Sequence, residues 1–287
     1  MPKFQIWTML EYIKKSLSDM IDFIVFQKII RFFIFKSWLG RRSMFGYADS
    51  GNNFDHIYRN NPRGYTLLGK FVDKILLNLP ACKATRERFS MIIRIIDRQI
   101  KLNDKKGRHN RIVDLASGSS RYLIDCIPEN ATNIEILCMD FDNAALKQGK
   151  KNVGSRPIIF KRANALLLKN HLNRLAIQKN WTPNIVIVSG LYEYYSDDIV
   201  RTHLQQIIKY LSKDGVLLAI TQKGNPNRYL MEKLGKQKNG NKWILNFRKP
   251  ELIEEWLSDA GYVETQVTMD KWNQYVYFLA RKEKNCE

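Results

Sequence analysis

The stretch Arg111-Ile-Val-Asp-Leu-Ala-Ser-Gly-Ser-Ser-Arg121 constrains the fold more than any other part of this 287-residue chain. An apolar run ends in a carboxylate, Asp114, and passes into a turn of small residues, Ala116, Ser117, Gly118, Ser119 and Ser120. A strand, a small-residue turn and then a helix allow a ligand to come close to backbone amides. Further short apolar runs follow at Ile134–Cys138, Ile158–Phe160, Ile185–Val188, Val216–Ile220 and Tyr275–Ala280. Helical patterns lie between most of them, at Asp142–Asn152, Asp198–Leu211 and Pro250–Ala260. This alternation predicts right-handed βαβ units and an α/β fold around a mostly parallel sheet.

The residues ahead of Arg111 have a different character. Between Ile21 and Leu39 the chain is rich in Ile, Phe and Val, but Asp22, Gln27, Lys28, Arg31 and Lys36 interrupt the run. A membrane-crossing helix needs about 20 consecutive apolar residues. At about 100° per residue, Gln27, Lys28 and Arg31 share one side of a helix, with Phe23, Phe26, Ile30 and Phe33 on the other. That pattern suits an interfacial helix, and equally a lid packed on a catalytic domain. Residues 46–65 are rich in Gly, Asn and Asp and predict a loop. Spacings of three and four among Leu67, Leu68, Phe71, Val72, Ile75 and Leu76, and again from Phe89 to Ile100, predict helices over 66–101. The chain thus divides into a basic apolar N-terminal helix (1–45), a loop and helical cap region (46–110) and a ligand-binding domain (111–287).

Charge bears on partners. The chain carries 47 Lys and Arg against 28 Asp and Glu, a net charge of +19. Residues 1–110 hold 21 of the basic and 9 of the acidic residues. A basic front half points to anionic partners: phospholipid headgroups, nucleic acid or an acidic protein. Cys82, Cys126, Cys138 and Cys286 form no CxxC pair, and His56, His109, His171 and His203 are far apart in sequence, so no metal site is expected. Reduced thiols and the lack of a secretory pattern predict a cytoplasmic protein, held peripherally on the inner face of the membrane if the N-terminal helix binds lipid.

The strand ends carry the chemistry. Asp114 closes the first strand and can accept a hydrogen bond from a ligand amine or water. Asp140 closes the second, where a carboxylate can take both ribose hydroxyls. Asp142 reads as the N-cap of the next helix. Asn164 and Ala165 follow the third strand, and an amide there can read an adenine edge. Ser189, Gly190 and Leu191 follow the fourth, before Tyr192, Glu193, Tyr194 and Tyr195.

This order resembles the class I S-adenosylmethionine-dependent methyltransferases, in which the first turn usually reads D-x-G-x-G-x-G. Here Ala116 and Ser120 stand where two glycines are usual. The resemblance implies a Rossmann-like, doubly wound, seven-stranded sheet with an added N-terminal helical segment, and S-adenosylmethionine as cofactor. It implies that Asp114, Ala116, Gly118 and Ser119 line the methionine part and that Asp140 and Phe141 lie at the ribose. Asn164 and Ala165 would lie at the adenine, and Ser189, Gly190 and Leu191 would border the transfer site. A closer likeness is carried by Tyr58-Arg-Asn-Asn-Pro-Arg-Gly64, Leu68-Gly-Lys-Phe-Val-Asp73, Val188-Ser-Gly-Leu-Tyr-Glu193, and Trp243 before Phe247-Arg248. These resemble a bacterial methyltransferase family often fused behind a lysophospholipase-like α/β-hydrolase.

A D/N-P-P-Y/F segment, a cysteine nucleophile near the fourth or fifth strand and a metal cluster are all missing, which disfavours adenine-N6, pyrimidine-C5 and catechol-type methylation. Glu193 is a candidate base or amine-binding carboxylate, and Tyr192 and its neighbours can hold a methylated ammonium. The bland alternatives are a core tyrosine and a helix-capping glutamate. Tyr58 and Arg59 are candidate substrate contacts from a loop over the pocket, or a solvated turn with Arg59 paired to an acid. Gln222, after the fifth strand, is a third candidate. The expected activity is methyl transfer to nitrogen or oxygen of a membrane-associated or lipid substrate. An RNA or protein methyltransferase and a catalytically silent cofactor-binding module are the alternatives.

Overall fold

The computed structural model describes residues 3–168 and 181–282. His171 and Cys286 lie outside the described residues, as do the side chains of Phe23, Phe26 and Gln27. In chain order the helices begin with α1 (Lys3–Asp22), a π-helical segment Phe23–Ile30, α2 (Arg31–Lys36) and α3 (Trp38–Arg42). Next come α4 (Gly51–Arg59), α5 (Leu67–Leu77), α6 (Pro80–Lys105), β1 (Asn110–Leu115), α7 (Arg121–Cys126) and β2 (Ile134–Asp140). They are followed by α8 (Asn143–Asn152), β3 (Ile158–Arg162), β4 (Ile185–Ser189), α9 (Asp197–Tyr210) and β5 (Val216–Gln222). The chain closes with α10 (Arg228–Leu234), α11 (Pro250–Asp259), β6 (Glu264–Met269) and β7 (Tyr275–Arg281).

Two units emerge, and their borders differ from the three-part division that composition suggests. One comprises Met1–Asp49, Asn60–Asn78 and Tyr229–Trp243; the other comprises Ser50–Arg59, Leu79–Arg228 and Ile244–Glu287. The expected cap region 46–110 is therefore shared between them.

The larger unit holds the sheet, in the order β3-β2-β1-β4-β5-β7-β6. The first five strands run parallel, and β7 lies antiparallel to both β5 and β6. Its strands read as continuous apolar runs because helices cover both faces. Val113, Leu115, Val186, Val188 and Leu217 pack on one side with Val200 and Leu204 of α9 and Trp256 of α11. Ile112, Ile136, Ile185, Ile187 and Leu218 pack on the other with Ile92 and Ile96 of α6 and Leu123 of α7. The strand order reverses between β1 and β4, so the carboxyl ends of these neighbours flank a switch-point crevice.

Two elements depart from the sequence reading. β6 has almost every side chain exposed, so its mixed polar pattern lacks the apolar run that marked the other strands. The Gly- and Asn-rich stretch expected to be a loop contains α4. Its Asn53, Asp55, His56 and Ile57 are buried, and Ser50 Oγ accepts from the Asn52 amide at 3.3 Å. Tertiary packing overrides weak helix propensity here.

The smaller unit is helical. Residues 23–30 form π-helical turns, so a rotation of 100° per residue does not apply to them and the two-faced arrangement expected there is not that of a regular helix. The unit is organised by Asp73 of α5, which is fully buried. Its carboxylate accepts from Ser37 Oγ (2.6 Å), the Leu39 amide (2.9 Å) and the Arg63 amide (2.8 Å). Glycines permit the close crossing around it. A β-carbon at Gly69 would lie 2.3 Å from the Lys36 carbonyl oxygen, and one at Gly64 would lie 2.3 Å from the Gly69 carbonyl carbon. Gly64, Gly69 and Asp73, all within the family-like segments, thus build this unit. No helix among the described residues is long and apolar enough to cross a membrane.

Candidate functional site

The turn after β1 takes left-handed backbone at three positions, only one of them glycine. Ala116 (φ 58°), Gly118 (φ 57°) and Ser120 (φ 47°) all lie in the left-handed region. A non-glycine residue there is strained by roughly 1 kcal/mol, and local contacts must compensate. At Ser120 the compensation is visible, because its hydroxyl donates to Asp114 at 2.6 Å. Tyr122 also donates to Asp114, 2.8 Å from either oxygen. Asp114 is therefore committed to holding the turn. Its partner Tyr122 was not anticipated from the sequence. Burial pushes its carboxyl up to about 7, against the opposing effect of these hydroxyls and with some help from the charge of Asp140.

Asp140 ends β2 beside this turn. Its Oδ2 accepts from the Gly118 amide at 2.7 Å and its Oδ1 from the Asp142 amide at 2.6 Å. Two backbone amides thus hold the carboxylate beside the turn. Asp142 caps α8 through the Ala144 amide (3.0 Å), as its sequence position suggested. Ser50 Oγ also donates to Asp142, at 3.2 Å. The start of α4 rests directly on the turn, for a β-carbon at Gly51 would lie 2.9 Å from Gly118 Cα. Phe141 is exposed, with the Arg162 guanidinium stacked on its ring at 5.3 Å. Asn164 is exposed and accepts from the Leu166 amide through its side-chain oxygen (3.0 Å), while Ala165 is buried.

After β4 the chain bends at Gly190 (φ 74°) into a short 3-10 turn, Tyr192–Tyr194. Arg248, from the family-like Phe247-Arg248 pair, holds this loop. Its guanidinium donates to the Tyr192 carbonyl (2.7 Å) and the Tyr195 carbonyl (2.5 Å) and pairs with Asp197 (2.8 Å). Leu191 and Tyr192 belong to the core. The His203 Nε2–H donates to the Ala165 carbonyl (3.0 Å), so its Nδ1 accepts from the Tyr192 hydroxyl (3.1 Å). Tyr192 is thus a core residue with a satisfied hydroxyl, the structural alternative that the sequence offered.

Burial lowers the His203 imidazole to about 4. It stays neutral in the folded chain while the unfolded chain takes up a proton below about 6.5. Its contribution to stability therefore rises with pH between about 4 and 6.5, by about 3 kcal/mol in total. Asp114, raised by burial, acts with the opposite sign between its unfolded value and about 7. The difference between wild type and His203→Gln isolates the histidine: in urea titrations at pH 4.5 and 6.5, the stability gained on going up in pH is smaller in the variant. An equal gain in both would show that His203 is charged in the fold.

Glu193 is 1 % exposed. Neither carboxylate oxygen completes a hydrogen bond of ordinary geometry, although its own amide and that of Gln222 lie near enough to favour the charged form. Burial dominates and raises its carboxyl above the usual range, against the charges of Arg88 and Arg248. Ser189 Oγ is also buried without a partner. Gln222 is buried and accepts from Asn225 Nδ2 (3.3 Å) and Gln274 Nε2 (3.4 Å). Of the α4 candidates, Tyr58 joins the site by accepting from Arg88 Nη2 at 2.6 Å. Arg59 pairs with Asp55 at 2.8 Å on the solvent side.

A strand-end carboxylate next to a small-residue turn, at the switch point of this strand order, now stands beside the matches to known proteins. A family described as "Putative methyltransferase" matches residues 11–282. The chain belongs to this methyltransferase family. The protein YnbC of Escherichia coli K12, described as uncharacterized, is 26 % identical over 243 residues. That match covers 83 % of this chain, which spans only 41 % of the relative's length. Among solved structures, a "possible exported protein" of Bordetella parapertussis shares the fold with a TM-score of 0.63 at 16 % identity, over 82 % of this chain and 80 % of that one. Magnesium protoporphyrin IX methyltransferase from Synechocystis PCC 6803, a structure with bound S-adenosylhomocysteine, gives 0.55 at 12 % identity. That match covers 85 % of this chain and all of the other. The fold is that of the class I S-adenosylmethionine-dependent methyltransferases. The residues present suit such a cofactor: a carboxylate, Asp140, stands at the end of β2 beside the Gly118 turn, and among the described residues Ser189 and Glu193 carry buried polar atoms without partners.

Proposed function

We propose that the chain transfers the methyl group of S-adenosylmethionine to a nitrogen or oxygen of a membrane-associated or lipid substrate. The bound cofactor would supply an electrophilic methyl on a sulfonium. The chain's residues have the remaining work. Asp140 would hold the ribose, and the Gly118 turn and Gly190 would line the path of the methyl. Glu193 would receive an amine or take its proton, burial raising its carboxyl and making it a stronger base. Positioning a nucleophile in line can supply much of the catalysis of a displacement.

The observation that carries the lipid reading lies on α5. Leu67 (85 % exposed), Phe71 (61 %) and Ile75 (49 %) recur every four residues on its solvent face, interleaved with exposed Lys70 and Lys74. On α2, Phe32 and Phe33 are also exposed, and Lys36 lies over the Phe32 ring at 5.0 Å. Arg41 stacks on Phe35 (4.9 Å) and Tyr65 (4.6 Å). An apolar, aromatic surface laced with cations is the composition that binds an anionic bilayer, each nearby cation adding about 1 kcal/mol. α5, which sequence alone marked only as a helix, adds this surface to the basic residues of 1–45.

Sedimentation with vesicles tests this. The full chain is expected to bind phosphatidylglycerol vesicles, more weakly as salt rises, and to ignore phosphatidylcholine. The exposed-site double variant Leu67→Ser/Phe71→Ser should bind about tenfold or more weakly, from loss of two apolar insertions. Undiminished binding by the variant, or none by the wild type, would sink the membrane reading. A labelled-methyl assay on lipid, RNA and protein fractions then identifies the acceptor class, with label in RNA alone favouring use of the basic surface for nucleic acid.

A further inference from the structure

Arg88 of α6 is only 4 % exposed, and sequence gave no reason to single it out. Its guanidinium is held among the rings of Phe54 (5.0 Å), Tyr275 (4.8 Å) and Tyr58 (5.9 Å). Among the described residues its one hydrogen bond is the donation to the Tyr58 hydroxyl, and its buried Nε has no partner. A β-carbon on Gly190 would lie 3.2 Å from Arg88 Nη1, so the guanidinium abuts the turn that ends β4, at the carboxyl edge of the sheet. Glu193, three residues further on, is close enough to feel its charge, but no ion pair joins them.

A buried, permanently charged guanidinium normally has an anionic partner, because losing water without compensation is costly. Aromatic rings stabilise the cation and fix its plane, yet they leave the Nε–H donor unused. The flat fork of a guanidinium matches a carboxylate or phosphate with two parallel hydrogen bonds. A side chain at position 190 would crowd Nη1, and glycine avoids that contact.

We propose that Arg88 is a binding residue for an oxyanion, carboxylate or phosphate, on a ligand that enters beside Gly190. This rests on the methyltransferase reading of the crevice. Two ligands can bring such a group: the cofactor through its methionine carboxylate, or the acceptor through an anionic group near the methylated atom. Where the acceptor brings the anion, Glu193, opposite in charge, would face its amine.

Calorimetric titration of the full chain decides it, with S-adenosylhomocysteine, with 5′-methylthioadenosine, which lacks the carboxylate, and with inorganic phosphate in the presence of saturating methylthioadenosine. Arg88→Gln is expected to weaken at least one oxyanion-bearing probe by about tenfold or more and to leave methylthioadenosine within about twofold, since that probe lacks the group held by the charge-assisted bond. Loss of S-adenosylhomocysteine affinity assigns the anion to the cofactor. Loss of phosphate affinity alone assigns it to the acceptor. Arg88→Lys, which keeps the charge and loses the fork, should fall between and serves if the glutamine variant does not fold. If a folded variant binds all three probes as the wild type does, Arg88 is structural and the proposal is wrong. A wild type that binds neither nucleoside would overturn the cofactor reading instead. Phosphate titrated without nucleoside would then still report on Arg88.

Discussion

Asp140→Ala weakens S-adenosylhomocysteine binding by about 100-fold or more, the expected result if its carboxylate grips the ribose diol. Each charge-assisted hydrogen bond is worth about 1.5–3 kcal/mol, and two are lost. The substitution also removes the acceptor that pins the Gly118 amide and the one that pins the Asp142 amide. The turn loses its brace along with the ligand's anchor. Asp142→Ala is the matched control, because it removes the helix cap and the Ser50 contact while leaving the Asp140 carboxylate in place. It should cost about 1 kcal/mol of stability and change affinity little. Calorimetry on both variants, with melting curves to confirm folding, checks the pair. Equal affinities in Asp140→Ala and wild type would remove Asp140 from the site.

Asp73→Ala should cost about 4 kcal/mol, the largest stability loss expected in the smaller unit. The alanine leaves the Ser37 hydroxyl and the Leu39 and Arg63 amides without their buried acceptor. Each orphaned donor carries a penalty of about 1–3 kcal/mol. Asp73→Asn keeps one acceptor oxygen and the shape and should lose less. Hydrogen exchange separates this from global unfolding: protection falls first in α2, α3 and α5, while β1 and β4 stay protected. Unchanged exchange in those helices would mean that Asp73 is not their organiser.

The segments that carried the closest family likeness turn out to serve different ends. Gly64, Gly69 and Asp73 make a close helix crossing possible. Arg248 holds the loop after β4 by binding its carbonyls. Ser189 and Gly190 lie at the switch-point edge. At the positions of the two usual glycines that this chain lacks, Ala116 and Ser120 take the left-handed geometry that glycine adopts without strain. At Ser120 the strain is offset by a bond to Asp114, which explains why a hydroxyl-bearing residue is tolerated there.

Five parallel strands, the turn after β1, the carboxylate of Asp140 and the cap of Asp142 were legible in the sequence. Each is encoded locally, by an apolar run buried on both faces or by a residue type at a helix boundary, and such patterns survive without knowledge of the rest of the chain. Tertiary structure decided what depends on distant partners. α4 is a helix because Gly51 meets Gly118 and its polar side chains are buried, although its composition predicts a loop. β6 pairs at an exposed edge and so lacks an apolar signature. Asp114 is turned inward by Tyr122, Tyr192 is drawn into the core by His203, and Arg88 is brought to Gly190 across more than 100 residues. Burial and long-range contact, which set the cost of every unpartnered charge, are written in the fold and not in the spacing of residues along the chain.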